Sequence, residues 1–527
     1  MTKENIAAWT IMVYLAGDNN LTTECMFALT EMKGAALNNK DFKVVAQFDP
    51  SDPYLPSHRY EIDPAKKSIY EDIFDCARYY KNKDEVRFKK ESRKACELAA
   101  RREEALEKVR KAGLKKLKKA SLTATKSSKV PSDDTDTGSP ITLYNFISYC
   151  LQKYPAHRYM VVLSGHAGGT ERDYLLRDES SARSLTFNEL KQVFKQIKRD
   201  RQGKLIDIIG MDNCLMSMAE ICYELRDVAE IVVGCESFSP ISGWPYRQIL
   251  ERLHNEFGDP KLPAGKAVTV AAARAIVDEY VNFYATYWMA GLSVTQSALD
   301  ISKVEELRQH INSLAEQMEK ELVAESEQES LTPADRLVEN ALLLAHWEAQ
   351  SYNGEQYVDV YDFCDCLQKR VQSDEIAKRC QALKDFIKGE FVLESCYCGA
   401  IYQYSYGVSI YFPWAEIAPS YWNLDFVDQK VPGWGRFLQA YTCLTRRSAR
   451  NGIADRRMMY NRGDETNTAG HRMVFNRMLY DRRLYDRMGS AANRVHSMRN
   501  PPVAFNPEPC VKEGGGVVKS QKMFRLR

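Results

Sequence analysis

Two residues in this chain have the types and spacing for nucleophilic chemistry. Cys214 lies between an apolar run, Ile206-Asp207-Ile208-Ile209-Gly210-Met211, and a helical pattern, Leu215-Met216-Ser217-Met218-Ala219-Glu220-Ile221-Cys222. His166 closes another apolar run about 50 residues upstream. A thiolate attacks carbonyl carbon, and a histidine takes and returns a proton near neutral pH, so the pair suits acyl transfer through a covalent intermediate. The junction predicts Cys214 in the first turn of a helix, where the positive end of the helix dipole favours thiolate over thiol. The competing reading of any one cysteine is a small buried hydrophobe.

The elements that must position these residues are short apolar runs at residues 9–16, 43–48, 158–164, 206–211 and 230–235, each followed by polar or helical sequence. This alternation predicts an α/β fold, a mostly parallel sheet with helices on both faces. Chemistry in such sheets gathers beyond the carboxyl ends of the strands. Asp18, Asn19, Asn20, Asp49, His166, Cys214 and Glu236 all follow predicted strands, so one sheet edge collects them.

The 527 residues exceed one ordinary core, which predicts a large α/β domain with a smaller unit after it. Hydrophobic residues at 44% and charged residues at 27% are ordinary for a globular chain, and a net charge of +2 predicts no overall pull toward nucleic acid or an anionic membrane. The opening residues run into the first strand without an apolar signal core, and no stretch approaches the roughly 18 apolar residues of a membrane span. A cytoplasmic location is the expectation. Cysteines such as Cys222 and Cys235 fall inside strand or helix patterns and read as reduced packing residues. The pairs Cys364/Cys366 and Cys396/Cys398 have tighter spacing than structural zinc sites and no accompanying histidine, so no metal is expected there.

The segment Asp212-Asn213-Cys214-Leu215-Met216-Ser217-Met218-Ala219-Glu220 resembles the nucleophile segment of clostripain-like cysteine peptidases. Trp9-Thr10-Ile11-Met12-Val13-Tyr14-Leu15-Ala16-Gly17-Asp18-Asn19-Asn20-Leu21 is similar to that family's opening strand, and Tyr154-Pro155-Ala156-His157-Arg158-Tyr159-Met160 to the approach to its histidine. Gly243-Trp244-Pro245-Tyr246, Tyr357-Val358-Asp359-Val360-Tyr361-Asp362-Phe363 and Gly407-Val408-Ser409-Ile410-Tyr411-Phe412-Pro413 extend the ordered match to about residue 443. The resemblance implies a caspase-like core and an endopeptidase cleaving after Arg or Lys, with Cys214 as nucleophile and His166 as its base. It implies an oxyanion hole of the Cys214 and Ala167 amides. The family usually has glycine at the latter position; if a positive φ is needed there, alanine weakens the hole. Asp212 corresponds to the aspartate that selects a basic side chain, and it fits a helix N-cap as well. Trp244 and Tyr246 are expected to wall the pocket or to pack as ordinary aromatics. Glu236 is expected to hold the substrate or another loop residue, or to stand as a surface charge, and Asp18 and Asn20 to brace the crevice or make a turn.

The expected partners are protein or peptide substrates carrying basic residues. Relatives mature by cutting themselves between the histidine and cysteine segments, and Arg172, Arg177 and Arg183 stand in such a stretch here. Some relatives use calcium, but the chain has no D-x-[DN]-x-[DN]-G loop, so no cofactor is assigned. The organisation expected is a catalytic domain over residues 1–300, interrupted by a basic helical insertion at about 66–137, a smaller helical region at 301–444, and an Arg/Met-rich, disordered tail at 445–527. The alternative to a peptidase is a catalytically silent scaffold that binds a protein or nucleic acid through the insertion and tail. Acyl transfer to an amine is a second enzymatic alternative, because an acyl-enzyme ligates when water is outcompeted.

Overall fold

The structure is a computed structural model that describes residues 6–450 except 39, 52–56, 64–135, 287–291, 329, 333–334, 354–355 and 429–430, with side chains to 445. Nearly all of the basic insertion and most of the Arg/Met-rich tail lie outside the described residues. One eight-stranded sheet runs through the fold in the order Val392–Cys398, Val294–Asp300, Ala229–Gly234, Ile206–Asp212, Ala156–Ser164, Ala7–Gly17, Phe42–Pro50 and His58–Glu61. The residues group into two compact units, one holding 1–167, 174–212 and 241–269, the other 168–173, 213–240 and the remainder.

The first unit contains β1 (Ala7–Gly17), β2 (Phe42–Pro50), β3 (His58–Glu61), β4 (Ala156–Ser164), the hairpin of β5 (Leu175–Asp178) and β6 (Arg183–Leu185), and β7 (Ile206–Asp212). All residues of β1 are buried, which suits a central parallel strand covered on both faces. β1 pairs in parallel with β2 and with β4, and β4 in parallel with β7, whereas β3 returns antiparallel to β2. The register aligns the carboxyl ends: Ala16 opposes Asp49, Leu15 opposes Ser164, and Ser164 opposes Asp212. Strand order reverses between β1 and β4, the switch point outside which open α/β sheets hold their ligands. The helix Phe187–Asp200 that leads into β7 begins with a capping box, Thr186 and Glu189, and turns Leu190, Val193, Phe194 and Ile197 inward.

The second unit contains β8 (Ala229–Gly234), β9 (Val294–Asp300), a three-stranded sheet of β10 (Ser351–Tyr352), β11 (Tyr357–Asp359) and β13 (Ser409–Tyr411), and β12 (Val392–Cys398). β9 is antiparallel to both β8 and β12, so the eight-stranded sheet is mixed. The helices Val304–Ser326, Leu337–Glu348, Val360–Gln368, Asp374–Phe386 and Trp434–Arg450 also belong to this unit. Here His346 is stacked on Phe412 and on Trp414 with ring centroids 3.9 and 3.7 Å away, and its Nδ1 lies 2.9 Å from Tyr441 Oη. Among the described residues no helix is long and apolar enough to cross a membrane.

Candidate active site

In the first unit, His166 leaves β4 beyond the switch point. Its Nε2 lies 2.6 Å from Asn20 Oδ1, and because an amide oxygen only accepts, Nε2 carries the proton and Nδ1 the lone pair of the neutral ring. Half-burial draws the imidazole below its usual titration range; Glu179 opposes this and Arg177 adds to it. The ring is therefore held neutral and ready to accept a proton at Nδ1. Its carbonyl accepts from Leu176 N–H at 2.8 Å, flanking an antiparallel bridge between Ala167 and Leu175. In that bond pattern the Ala167 N–H is not spent on the bridge. Ala167 is not among the positive-φ residues, whereas Gly165, at φ 153°, is. Alanine at this position therefore carries no backbone penalty, which corrects the concern raised by its departure from glycine.

Asp18 is bound by the residues after Asp178. Its Oδ2 accepts from Ser180 N–H at 3.2 Å, and its backbone carbonyl from Glu179 N–H at 2.8 Å. Asn19 ties the same region down, donating to Ala16 O at 3.0 Å and Arg177 O at 2.7 Å. Asp18, Asp49 and Asp178, all buried, bring their carboxylate oxygens within 4.8 Å of one another, the one group with metal-ligating potential among the described residues. Asp49 accepts from Ser57 Oγ and Asp178 from Thr137 N–H at 2.8 Å. Cys364 and Cys366 lie in the helix Val360–Gln368, and Cys396 and Cys398 in β12.

Asp212 ends β7 with its side chain 6% exposed. Its Oδ2 accepts from Ser164 Oγ and from the Tyr246 hydroxyl, both at 2.9 Å. Burial pushes this carboxyl up to about 6, and the Ser164 and Tyr246 hydroxyls and the Trp244 N–H hold it from rising further. Gly243, at φ 64°, brings the chain so close that an added Cβ would stand 2.9 Å from Asp212 Oδ2. Trp244 is buried against Gly210, where a Cβ would meet its ring at 2.7 Å. Tyr246 is thus joined to the carboxylate by a hydrogen bond, and Trp244 packs over the strand that carries it. Ser164 was not legible as a partner of Asp212 from residue type, although the strand register pairs them.

In the second unit, Cys214 departs from expectation. It sits in a turn, and the helix that follows spans only Ala219–Glu224 with Met218 at its N-cap. The helix is delayed because Met216 and Ser217 N–H both donate to Cys235 O, at 2.8 and 3.0 Å, and Leu215 N–H donates to Ser237 O at 3.0 Å. Leu215 adopts φ 62°, a conformation that a leucine enters only at a cost of about 1–3 kcal/mol. Cys214 is partly exposed, and its Sγ receives the Ser239 N–H at 3.3 Å. Asp212 is likewise no N-cap, since it precedes this helix by several residues.

Glu236 is 1% exposed, and its Oε2 accepts from Gly407 N–H at 3.0 Å. Burial pushes this carboxyl up to about 7, with Asp359, Gly407 N–H and Tyr352 restraining the rise. Burial rules out the surface charge expected as one reading of Glu236, and the contact displayed is the one to the Gly407 loop.

The clostripain family model matches residues 13–440. Clostripain from Hathewaya histolytica is 23% identical over 392 residues, covering 68% of this chain and 65% of its own length, so the chain spans just under two thirds of that relative. A secreted C11 cysteine protease from Bacteroides thetaiotaomicron, solved in complex with an irreversible peptide inhibitor, shares the fold at a TM-score of 0.50 and 14% identity, with 82% of this chain and 99% of that one covered. The α/β sheet with its helices, the segment around Cys214 and a family match across most of the chain agree: the protein belongs to the clostripain family of cysteine peptidases.

Proposed function

We propose that this chain is an endopeptidase that cleaves after Arg or Lys, with Cys214 as nucleophile and His166 as base and acid. The observation that carries the reading is the pairing of Ser164 with Asp212, because histidine and cysteine each follow these opposed strand ends by two residues. His166 Nδ1 takes the Cys214 thiol proton, the resulting thiolate attacks the scissile carbonyl carbon, and the carbonyl oxygen takes the negative charge, stabilised by the Cys214 and Ala167 N–H groups. Collapse expels the amine, which leaves with a proton from the His166 imidazolium. The neutral imidazole then removes a proton from water, and the resulting hydroxide releases the acid and regenerates the thiolate.

Asp212 supplies the preference for a basic side chain. Its carboxylate is desolvated, so a guanidinium or ammonium gains more from it than from an exposed carboxylate. Self-cleavage within residues 171–184 belongs to the same proposal. Arg172 and Arg177 are exposed, whereas Arg183 faces Asp136 at 3.7 Å and Glu189 at 3.4 Å, so the cut falls after Arg172 or Arg177. Fluorogenic peptides ending in Arg, Lys or Asp provide the test. Turnover of Arg and Lys peptides that drops about a thousandfold or more in Cys214→Ala supports the reading. Undiminished turnover in Cys214→Ala, or preference for Asp, contradicts it.

A further inference from the structure

The turn that carries Cys214 lacks a helix N-terminus, so its thiolate needs another source of stabilisation. The structure offers a backbone donor. Ser239 N–H points at Cys214 Sγ at 3.3 Å, and the same sulfur lies 3.9 Å from Ser239 O. The segment beyond β8 that contains Ser239 is fixed along its length. Ser237 O takes the Leu215 N–H, Cys235 O takes those of Met216 and Ser217, and Thr295 Oγ1 accepts from Glu236 and Ser237 N–H at 3.0 and 3.3 Å. Ser239 Oγ lies 3.3 Å from the Tyr280 hydroxyl, which anchors the residue from the helix Lys266–Tyr284.

We propose that the Ser239 backbone N–H is the donor that holds the Cys214 thiolate, in the role that a helix N-terminus plays for other reactive cysteines. The proposal rests on the reading of Cys214 as the nucleophile. A backbone donor carries no titratable proton and no rotamer freedom, so it aims the sulfur at every working pH. It also imposes a trade. A hydrogen bond to sulfur raises the fraction of thiolate but draws electron density from it, and nucleophilicity falls as basicity falls.

That trade provides a signature that simple loss of structure does not produce. Ser239 is replaced by its α-hydroxy acid, which turns the amide into an ester and deletes only the N–H, and separately by proline, which deletes it genetically. Iodoacetamide alkylation of the Cys214 peptide is then followed by mass spectrometry from pH 5 to 10 in the full chain. Circular dichroism establishes which variant is folded, and exposed Cys443 serves as internal reference. The expected result in the folded variant is a midpoint displaced upward by about one pH unit, with alkylation about threefold slower at pH 7 and about threefold faster on the alkaline plateau. Ser239→Ala, which keeps the N–H, retains the wild-type alkylation profile. A profile superimposable on wild type in the folded N–H deletion, or one slower at every pH, overturns the proposal. Because alkylation needs no substrate, this result is separable from the peptidase reading, which Cys214→Ala turnover tests by itself.

Discussion

Asp212 and Glu236 are both carboxylates at or just past the carboxyl end of a strand, one in each compact unit, and both are raised by burial. Their surroundings differ. Asp212 is ringed by two hydroxyl groups and a close glycine turn. Glu236 lies against a second carboxyl, Asp359, which itself accepts from Asp362 N–H at 2.7 Å and Tyr406 N–H at 2.6 Å. A carboxyl beside another shares protons with it and resists a second negative charge, whereas an isolated carboxylate among hydroxyls retains an unmet demand for a cation. Both are carboxylates near a strand end, and the neighbours distinguish the carboxylate proposed for recognition from a strut that holds the Gly407 loop.

The largest effect expected from this contrast is on activity. Asp212→Ala lowers kcat/KM for Arg and Lys peptides by roughly 100- to 1,000-fold, while Glu236→Gln, which still accepts from Gly407 N–H, changes it by less than about threefold. Equal losses in steady-state assays of the two variants would erase the distinction. Next comes stability against pH. Asp212 and Glu236 each titrate higher in the folded chain than unfolded, so the folded state binds more protons and stability falls as pH rises from about 4 through 6 for Asp212 and through 7 for Glu236. Asp212→Asn is expected to stabilise the chain at pH 8 by about 1–3 kcal/mol and to change little at pH 4, as measured by urea unfolding. A larger gain at pH 4 than at pH 8 would reverse the sign of the argument.

Gly243→Ala puts a Cβ on the Asp212 carboxylate at a positive φ, and thermal unfolding should report a loss of about 1–3 kcal/mol together with weakened basic preference. Thr186→Ala, at the start of the helix before β7, removes a capping box and should cost about 1 kcal/mol without altering preference. If Thr186→Ala shifted preference as much as Gly243→Ala, the local role of the glycine turn would fail.

The strand ends were legible because apolar runs bounded by polar residues mark buried parallel strands, and the five runs read from sequence are β1, β2, β4, β7 and β8. The turn after β7 was not. The periodicity of residues 215–222 suits a helix, but long-range hydrogen bonds to Cys235 O and Ser237 O claim the N–H groups that would start it, and nothing in a leucine announces φ 62°. Asn20 as the acceptor for His166, and Ser164 as a donor to Asp212, depend on strand register, which residue type does not encode. Ser239 escaped notice for a similar reason, since its contribution is a backbone N–H and any residue but proline supplies one.

We propose that the Asp212 charge selects the substrate. The direct measurement is kcat/KM for a pair of peptides differing only in Arg against its neutral isostere citrulline, from pH 5 to 8, in wild type and Asp212→Asn. Wild type is expected to prefer Arg by about a hundredfold, a preference that declines as pH drops through about 6, where Asp212 takes up its proton, and that collapses in Asp212→Asn. A preference that survives Asp212→Asn, or one indifferent to pH across that range, would contradict it.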